Sequence, residues 1–174
     1  MEDSVPFGSG LYLAVLGVLA FARGMDFLST RVATPTLALE GNPLAKKLGW
    51  KWGGLVNVGL CLGCAHWPLA AIVIATASVL VAAHNFQNAW LMRTLGEDGY
   101  SIWYAQRIRE TSTSLYVSCV LAQSTLIASV GGAMAWFGGA MLIPTAIGWG
   151  IISYAGAVAF YTLLSVWRLR RFSR

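Results

Sequence analysis

Charged side chains are scarce in this sequence. They make up 11% of its 174 residues, against 57% apolar, where an ordinary soluble domain carries about 25% and about 45–50%. A water-soluble domain of this length cannot hide that much apolar surface, which excludes a soluble enzyme, a disordered tail and a coiled coil. Cysteine is rare too. The three present are an odd number and all lie in apolar stretches, so there is no disulfide scaffold. No Lys or Arg precedes Arg23; a cleavable signal peptide needs a basic leader, and the first apolar helix is expected to be retained. His-Glu-x-x-His is absent, and Cys61-Leu-Gly-Cys64 is followed by Ala65 where haem attachment needs His, so no haem is expected. A membrane thiol pair and simple apolar packing both remain open for the two cysteines, and packing is favoured. The net charge of +5 is dispersed rather than gathered in one basic module, so nucleic acid is not an expected partner.

What is present is a set of long apolar runs. No Asp, Glu, Lys or Arg occurs between Trp52 and Met92, or between Thr111 and Trp167. Lipid selects such runs, because a spanning helix needs about 20 mostly apolar residues. The expected fold is all-α, a single polytopic membrane helix bundle over residues 1–174 with five transmembrane helices at about 10–30, 43–66, 69–93, 112–136 and 141–167. Asn42-Pro43 is a good start for the second, since Asn caps free N–H groups and Pro is preset for the first helical position. His66-Trp67-Pro68 ends it. Gly96-Glu97-Asp98-Gly99 reads as a turn after the third. The boundary between the last two is placed in the Gly-rich segment Gly131 to Gly139, with Pro144 in the first turn of the last. Gly59 and Gly63 form a small-xxx-small pair suited to close helix packing.

Basic residues test this division, because Lys and Arg collect at the cytoplasmic ends of spans. Arg31, Lys46, Lys47 and Lys51 follow the first span, Arg93, Arg107 and Arg109 the third, and Arg168, Arg170, Arg171 and Arg174 the fifth. Eleven of twelve then fall on one side, and the other side holds only Glu2 and Asp3. This puts the N-terminus outside and the C-terminus inside, in a multi-pass protein of the cell's inner (plasma) membrane. Trp50, Trp52, Trp67, Trp90, Trp103 and Trp167 lie near the span ends, where an interfacial aromatic belt belongs. Residues Tyr100 to Glu110 read as an interfacial helix, with Tyr and Trp at headgroup depth and arginines toward phosphates.

Polar groups inside the spans are costly, roughly 2.5–3.5 kcal/mol for a central Asp, Lys or Arg on insertion scales. Here they cluster. Arg23, Asp26 and Thr30 share a helix face about 60° wide. His84, Gln87 and Asn88 fall within an arc of about 100°, with Asn85 at its edge. Glu40 and Asn42 belong to the same, cytoplasmic end. Two readings apply to Arg23 and Asp26: an intrahelical ion pair with Arg23 snorkelling to the interface, or an inward-facing Asp26 that binds a cation, a proton or the cationic part of a solute. His84 is either a hydrogen-bonded core imidazole or a ligand. If Asp26, Glu40 and His84 converge, they form a ligand set for a divalent metal ion of the Zn, Fe or Mn kind.

The segment Asp26-Phe-Leu-Ser-Thr30, followed by Glu40-Gly-Asn42-Pro43, resembles the Asp-x-x-[Ser/Thr]-Thr and Glu-x-Asn-Pro motifs of a family of small prokaryotic multipass membrane proteins of unknown function. The likeness covers about residues 20–92. It implies that Asp26, Thr30, Glu40, Asn42 and Pro43 act together at the inner end of the first two spans, and it brings no activity with it.

Three functions compete. The first is binding or transport of a small ion or solute at a cytoplasm-facing polar site formed by Arg23, Asp26, Thr30, Glu40, Asn42, His84, Gln87 and Asn88. The second is a membrane-embedded, metal-dependent enzyme acting on a lipid-like substrate. The third is a structural subunit of a membrane complex. Partners are correspondingly the lipid bilayer, the small ion or solute, and, within the membrane, a second copy or other subunits.

Overall fold

The computed structural model describes residues 4–171; Glu2, Asp3 and Arg174 of the charge pattern lie outside the described residues. The described chain is all helical: α1 (Gly10–Ala33), α2 (Pro43–Cys64), α3 (Pro68–Glu110), α4 (Thr113–Gly138) and α5 (Leu142–Arg171). Local chemistry sets the starts. Ser9 accepts from the Tyr12 amide, Asn42 from the Leu44 amide and Ser112 from the Leu115 amide, and Pro43 and Pro68 stand in first turns, where their missing N–H is no loss.

Four helices, α1, α3, α4 and α5, are long and apolar enough to cross a membrane, which fits a multi-pass membrane protein. The second helix is not among them. Lys46, Lys47 and Lys51 occupy its first turns, and Gly49 breaks it with φ 66°, leaving a straight part from Trp50 to Cys64 of about 22 Å at 1.5 Å per residue.

The turn expected at Gly96 to Gly99 is confined to Gly96: there φ is 72° and ψ 162°, two helical stretches meet, and the second already includes residues 97–99. Only the missing Cβ makes that conformation accessible, so the glycine ends one helical stretch and the next follows at once. An unbent α3 of 43 residues would measure about 65 Å, twice the hydrocarbon core. The apolar part precedes the kink, and residues 97–110 form an arm beyond it. Two clasps hold the arm. Near the kink, Glu97 accepts from the Thr34 hydroxyl (2.7 Å), the Thr36 amide (3.1 Å) and the Thr36 hydroxyl. At the far end, Arg170 of α5 donates to the Ile108 and Thr111 carbonyls, both at 2.7 Å, and to the Thr113 hydroxyl, placing a cation on free carbonyls at a helix C-terminus.

The arm of α3 aside, its apolar part is the centre of the bundle. It packs against α1 on one side and α5 on the other; α4 packs on α5, and α2 lies lightly on α1 and α3. Buried Ala71, Ala75, Ser78, Ala82 and Ala89 recur at spacings of three, four and seven, a seam of small residues that lets α1 come close. Leu19, Ala22, Cys61, Ala71 and Ala75 form a core shared by α1, α2 and α3, with Cys64 packed against it. Both cysteines are free and fill space.

On the other side, glycines bring backbones together. A Cβ on Gly148 would stand 2.5 Å from the Gly131 carbonyl oxygen and 2.6 Å from the Ala135 nitrogen; one on Gly150 would stand 2.6 Å from Thr76 Cβ. The two glycines are about 200° apart around α5, so one admits α4 and the other α3. Gly59 and Gly63 do not play this part, since a Cβ on either would meet nothing within 4 Å.

Candidate functional site

Arg23, midway along α1, is the hub of a polar network joining three helices. Its Nη1 donates to Asp26 (2.8 Å) one turn on and to Ser78 Oγ of α3 (3.1 Å). Its Nε donates to Asn57 Oδ1 of α2 at 2.7 Å, and its Nη2 bonds the same oxygen. Asn57 in turn donates to its own helix at Gly53 (2.8 Å), which orients the amide with its oxygen toward the guanidinium. The intrahelical ion pair is therefore real. Snorkelling is not: the guanidinium reaches across to α2 and α3, because two neutral acceptors wait there and desolvated donors need partners.

One turn further on, Asn85 Nδ2 donates to Ser29 Oγ (3.3 Å) and Thr30 Oγ1 (3.2 Å). Ser29 is fully buried and donates to the Asp26 carbonyl at 2.8 Å. Below these groups lies a cavity of about 90 Å³ lined by Thr30, Ala33, Thr34, Leu39, Glu40, Gly41, Asn85 and Met92. A water needs about 10–15 Å³ of such space, so this one has room for several waters or a small solute. Its polar walls are two hydroxyls, an amide and one carboxylate.

The loop from Thr34 to Asn42 closes the cavity at the Ala33 end of α1. Thr34 Oγ1 accepts from the Leu39 amide (3.1 Å) while donating to Glu97, the Asn42 amide donates to Glu40 Oε1 (2.7 Å), and Trp50 Nε1 donates to the Pro35 carbonyl (2.8 Å). Leu37 is held at φ 61°, a strained conformation for a non-glycine residue. Partial burial pushes the Glu97 carboxyl up, but the hydrogen bonds from Thr36 and Thr34, with Arg93 nearby, outweigh it and hold the carboxyl below the ordinary glutamate range.

The expected site residues thus divide. Arg23 and Asp26 sit in the network, and Thr30 and Glu40 line the cavity, with Glu40 close enough to Asp26 for their charges to interact. Asn42 is engaged in capping α2. His84 and Asn88 bond within α3: the Asn88 amide donates to the His84 carbonyl (3.0 Å) and stands 3.5 Å from its Nε2. Gln87 is exposed. Among the described residues, no group of three or more His, Cys, Asp or Glu is placed to hold a metal ion, so Asp26, Glu40 and His84 do not assemble as a ligand set. They start from different elements, and His84 lies about 100° around α3 from the seam residue Asn85.

The residues missed from sequence are Asn57, Ser78 and Asn85. By sequence Asn85 falls at the edge of the polar arc. The seam would have found it and Ser78: 78, 82, 85 and 89 keep the spacing of the small residues that face α1. Asn57 offered a different signal, being the sole Asn, Gln, His or charged residue between Trp52 and Cys64.

Fold and site together define a small all-helical bundle with apolar helices of membrane-spanning length and a polar network inside it. Neither a protein family nor a curated protein nor a solved structure matches the chain.

Proposed function

We propose that the protein binds and carries a small ion or solute, and that the cavity between Thr30, Glu40 and Asn85 is its site. The cavity carries this reading: oxygen donors surround a half-buried carboxylate that makes no ion pair among the described residues. Arg23 is neutralised by Asp26, and Lys46 is engaged with the Ala38 carbonyl of the loop at 3.0 Å, which leaves the Glu40 carboxylate as the one charged group on the cavity wall and the group that would receive a cation.

The proposed topology has five spans, with the N-terminus outside, the C-terminus inside and the cavity facing the cytoplasm of a cell bounded by an inner (plasma) membrane. Support for a crossing α2 comes from its contacts along the whole of α1. Trp50 bonds Pro35, Asn57 bonds Arg23, and Leu62 accepts from Tyr12 at 3.1 Å, so α2 runs antiparallel from one end of α1 to the other. The basic residues then collect on one side.

The test is ligand binding and flux in proteoliposomes, with sodium, potassium and methylammonium as probes. At least one should bind and accumulate, and Glu40→Gln should reduce both by tenfold or more while the protein melts normally. If no probe binds, or if Glu40→Gln and Asp26→Asn leave binding and flux unchanged, the reading fails.

A further inference from the structure

The outermost helix carries a polar group that nothing else in the bundle engages. α4 packs along α5 and, at its start, meets the α3 arm where the Tyr104 and Tyr116 hydroxyls stand 2.8 Å apart. Gln123 lies on the open side of α4, exposed, and its amide has no hydrogen-bond partner among the described residues. It is ten residues from Thr113 and fifteen from Gly138, the ends of the helix, or about 15 Å and about 22 Å along the axis. In a hydrocarbon core about 30 Å thick, neither interface is within reach of its side chain. The hydroxyls of α4 are placed differently, because a short side chain can turn back on its own helix, as Ser129 does to the Leu126 carbonyl at 2.8 Å.

Gln123 stands in a regular row. Cys119, Gln123, Leu126, Val130, Ala133 and Phe137 follow at intervals of four and three in turn, within an arc of about 80°, and all six are exposed. A repeat of seven residues is the pattern by which two helices pack side by side with a left-handed crossing, and one polar residue in such a row sets the register by pairing across the contact. The amide also selects what covers the row. Acyl chains offer it neither a donor nor an acceptor, and an unmade hydrogen bond in hydrocarbon is costly. A carboxamide both donates and accepts, so it is complementary to itself. Copies of one chain enter the bilayer in one orientation, so two α4 helices meet in parallel about a two-fold axis along the membrane normal, and that axis brings residue 123 to residue 123 at one depth. A helix of another protein would have to carry a matching polar group to mid-core; a second copy does so by identity.

We propose that the chain forms a parallel two-fold dimer through the 119–137 face of α4, held in register by a reciprocal pair of hydrogen bonds between the two Gln123 amides. The proposal rests on α4 lying in the membrane and is independent of the polar cavity.

The row carries its own probe, since Cys119 is a free, exposed thiol one turn from Gln123. The purified protein is reconstituted at low density in phosphatidylcholine liposomes and oxidised with copper phenanthroline. Wild type should give a reducible dimer that Cys119→Ser does not. In the Cys119→Ser background, Leu126→Cys should restore the dimer, and Leu121→Cys, also exposed but about 160° around α4 from Gln123, should not. Gln123→Leu, which alters an exposed side chain and leaves the fold intact, should raise the dimer dissociation constant at least fivefold, read by energy transfer between copies labelled at the N-terminus as the liposomes are diluted with lipid. The proposal is overturned by a chain that stays monomeric, by a Cys119 product no greater than that of Leu121→Cys, or by Gln123→Leu dimerising like the parent.

Discussion

Arg23 is accommodated among apolar helices because Asp26, Asn57 and Ser78 accept from it on three different helices. Asn57→Leu removes the acceptor of two of its nitrogens. An unsatisfied buried donor costs about 1–3 kcal/mol, and interhelical hydrogen bonds measured in a membrane average about 0.6 kcal/mol. The expected loss is therefore about 1 kcal/mol, visible as a fall of a few degrees in the detergent melting temperature. Asn57→Leu melting like the parent would show that the network does not hold α2 in place. Glu97 gives a pH signature. Its folded carboxyl titrates below the ordinary glutamate range, so its contribution is complete above the unfolded value and lost as pH falls through the folded one. Wild type should be slightly more stable than Glu97→Gln at neutral pH, and the gap should close on acidification below the ordinary glutamate range. A gap that widens with acid would reverse the assigned sign.

Among the helices, those of α4 and α5 were legible from apolar runs, but the way they meet was not. Gly59 and Gly63 have the spacing of a packing motif, yet the close approaches occur at Gly131, Gly148 and Gly150. Spacing along one helix says which residues share a face; it does not say whether another helix lies there. Gly148→Ala should cost about 1–3 kcal/mol, the usual range for overpacking, because its methyl group meets backbone atoms that cannot turn aside. Gly59→Ala should be neutral or slightly stabilising, since it replaces a mid-helix glycine in open space. Matched thermal melts of the two variants check the pair. The seam on α3 teaches the same lesson in reverse. Asn85 is legible as an inward residue from its spacing to Ala82 and Ala89, whereas clustering of polar neighbours favours His84 and Gln87 instead. Gly96 reads correctly as a break, but the turn does not extend to Gly99, because the next helix begins at Glu97, where contacts to distant Thr34 and Thr36 hold its start.

For the whole molecule, the open question raised by the charge pattern is whether α2 crosses with the others. Single cysteines in a background lacking Cys61, Cys64 and Cys119 answer it. With five spans, Lys46→Cys and Ser101→Cys should react with an impermeant maleimide from the cytoplasmic side, and Trp67→Cys and Ala140→Cys from the outside. If Lys46→Cys and Trp67→Cys label from the same side, α2 does not cross and the orientation must be redrawn. The class of fold could be read in advance because lipid imposes apolar length on each segment separately. The site could be read only in part, since Arg23, Asp26, Thr30 and Glu40 signal through local spacing, whereas their partners come from helices whose rotation is set by packing.

The residues of the polar network and its cavity all lie between Arg23 and Met92, with the Glu97 clasp just beyond. A chain made from its N-terminus, at about 5–20 residues per second, therefore finishes the hydrogen-bonded half while α4 and α5 are still unsynthesised. The last two helices pack on it later, α5 against α3 around Gly150 and, beyond the kink, through Arg170. Timing thus separates two kinds of defect: a fault at Asn57 or Asn85 is present when the first three helices meet, while a fault at Gly148 arrives after the site is already built.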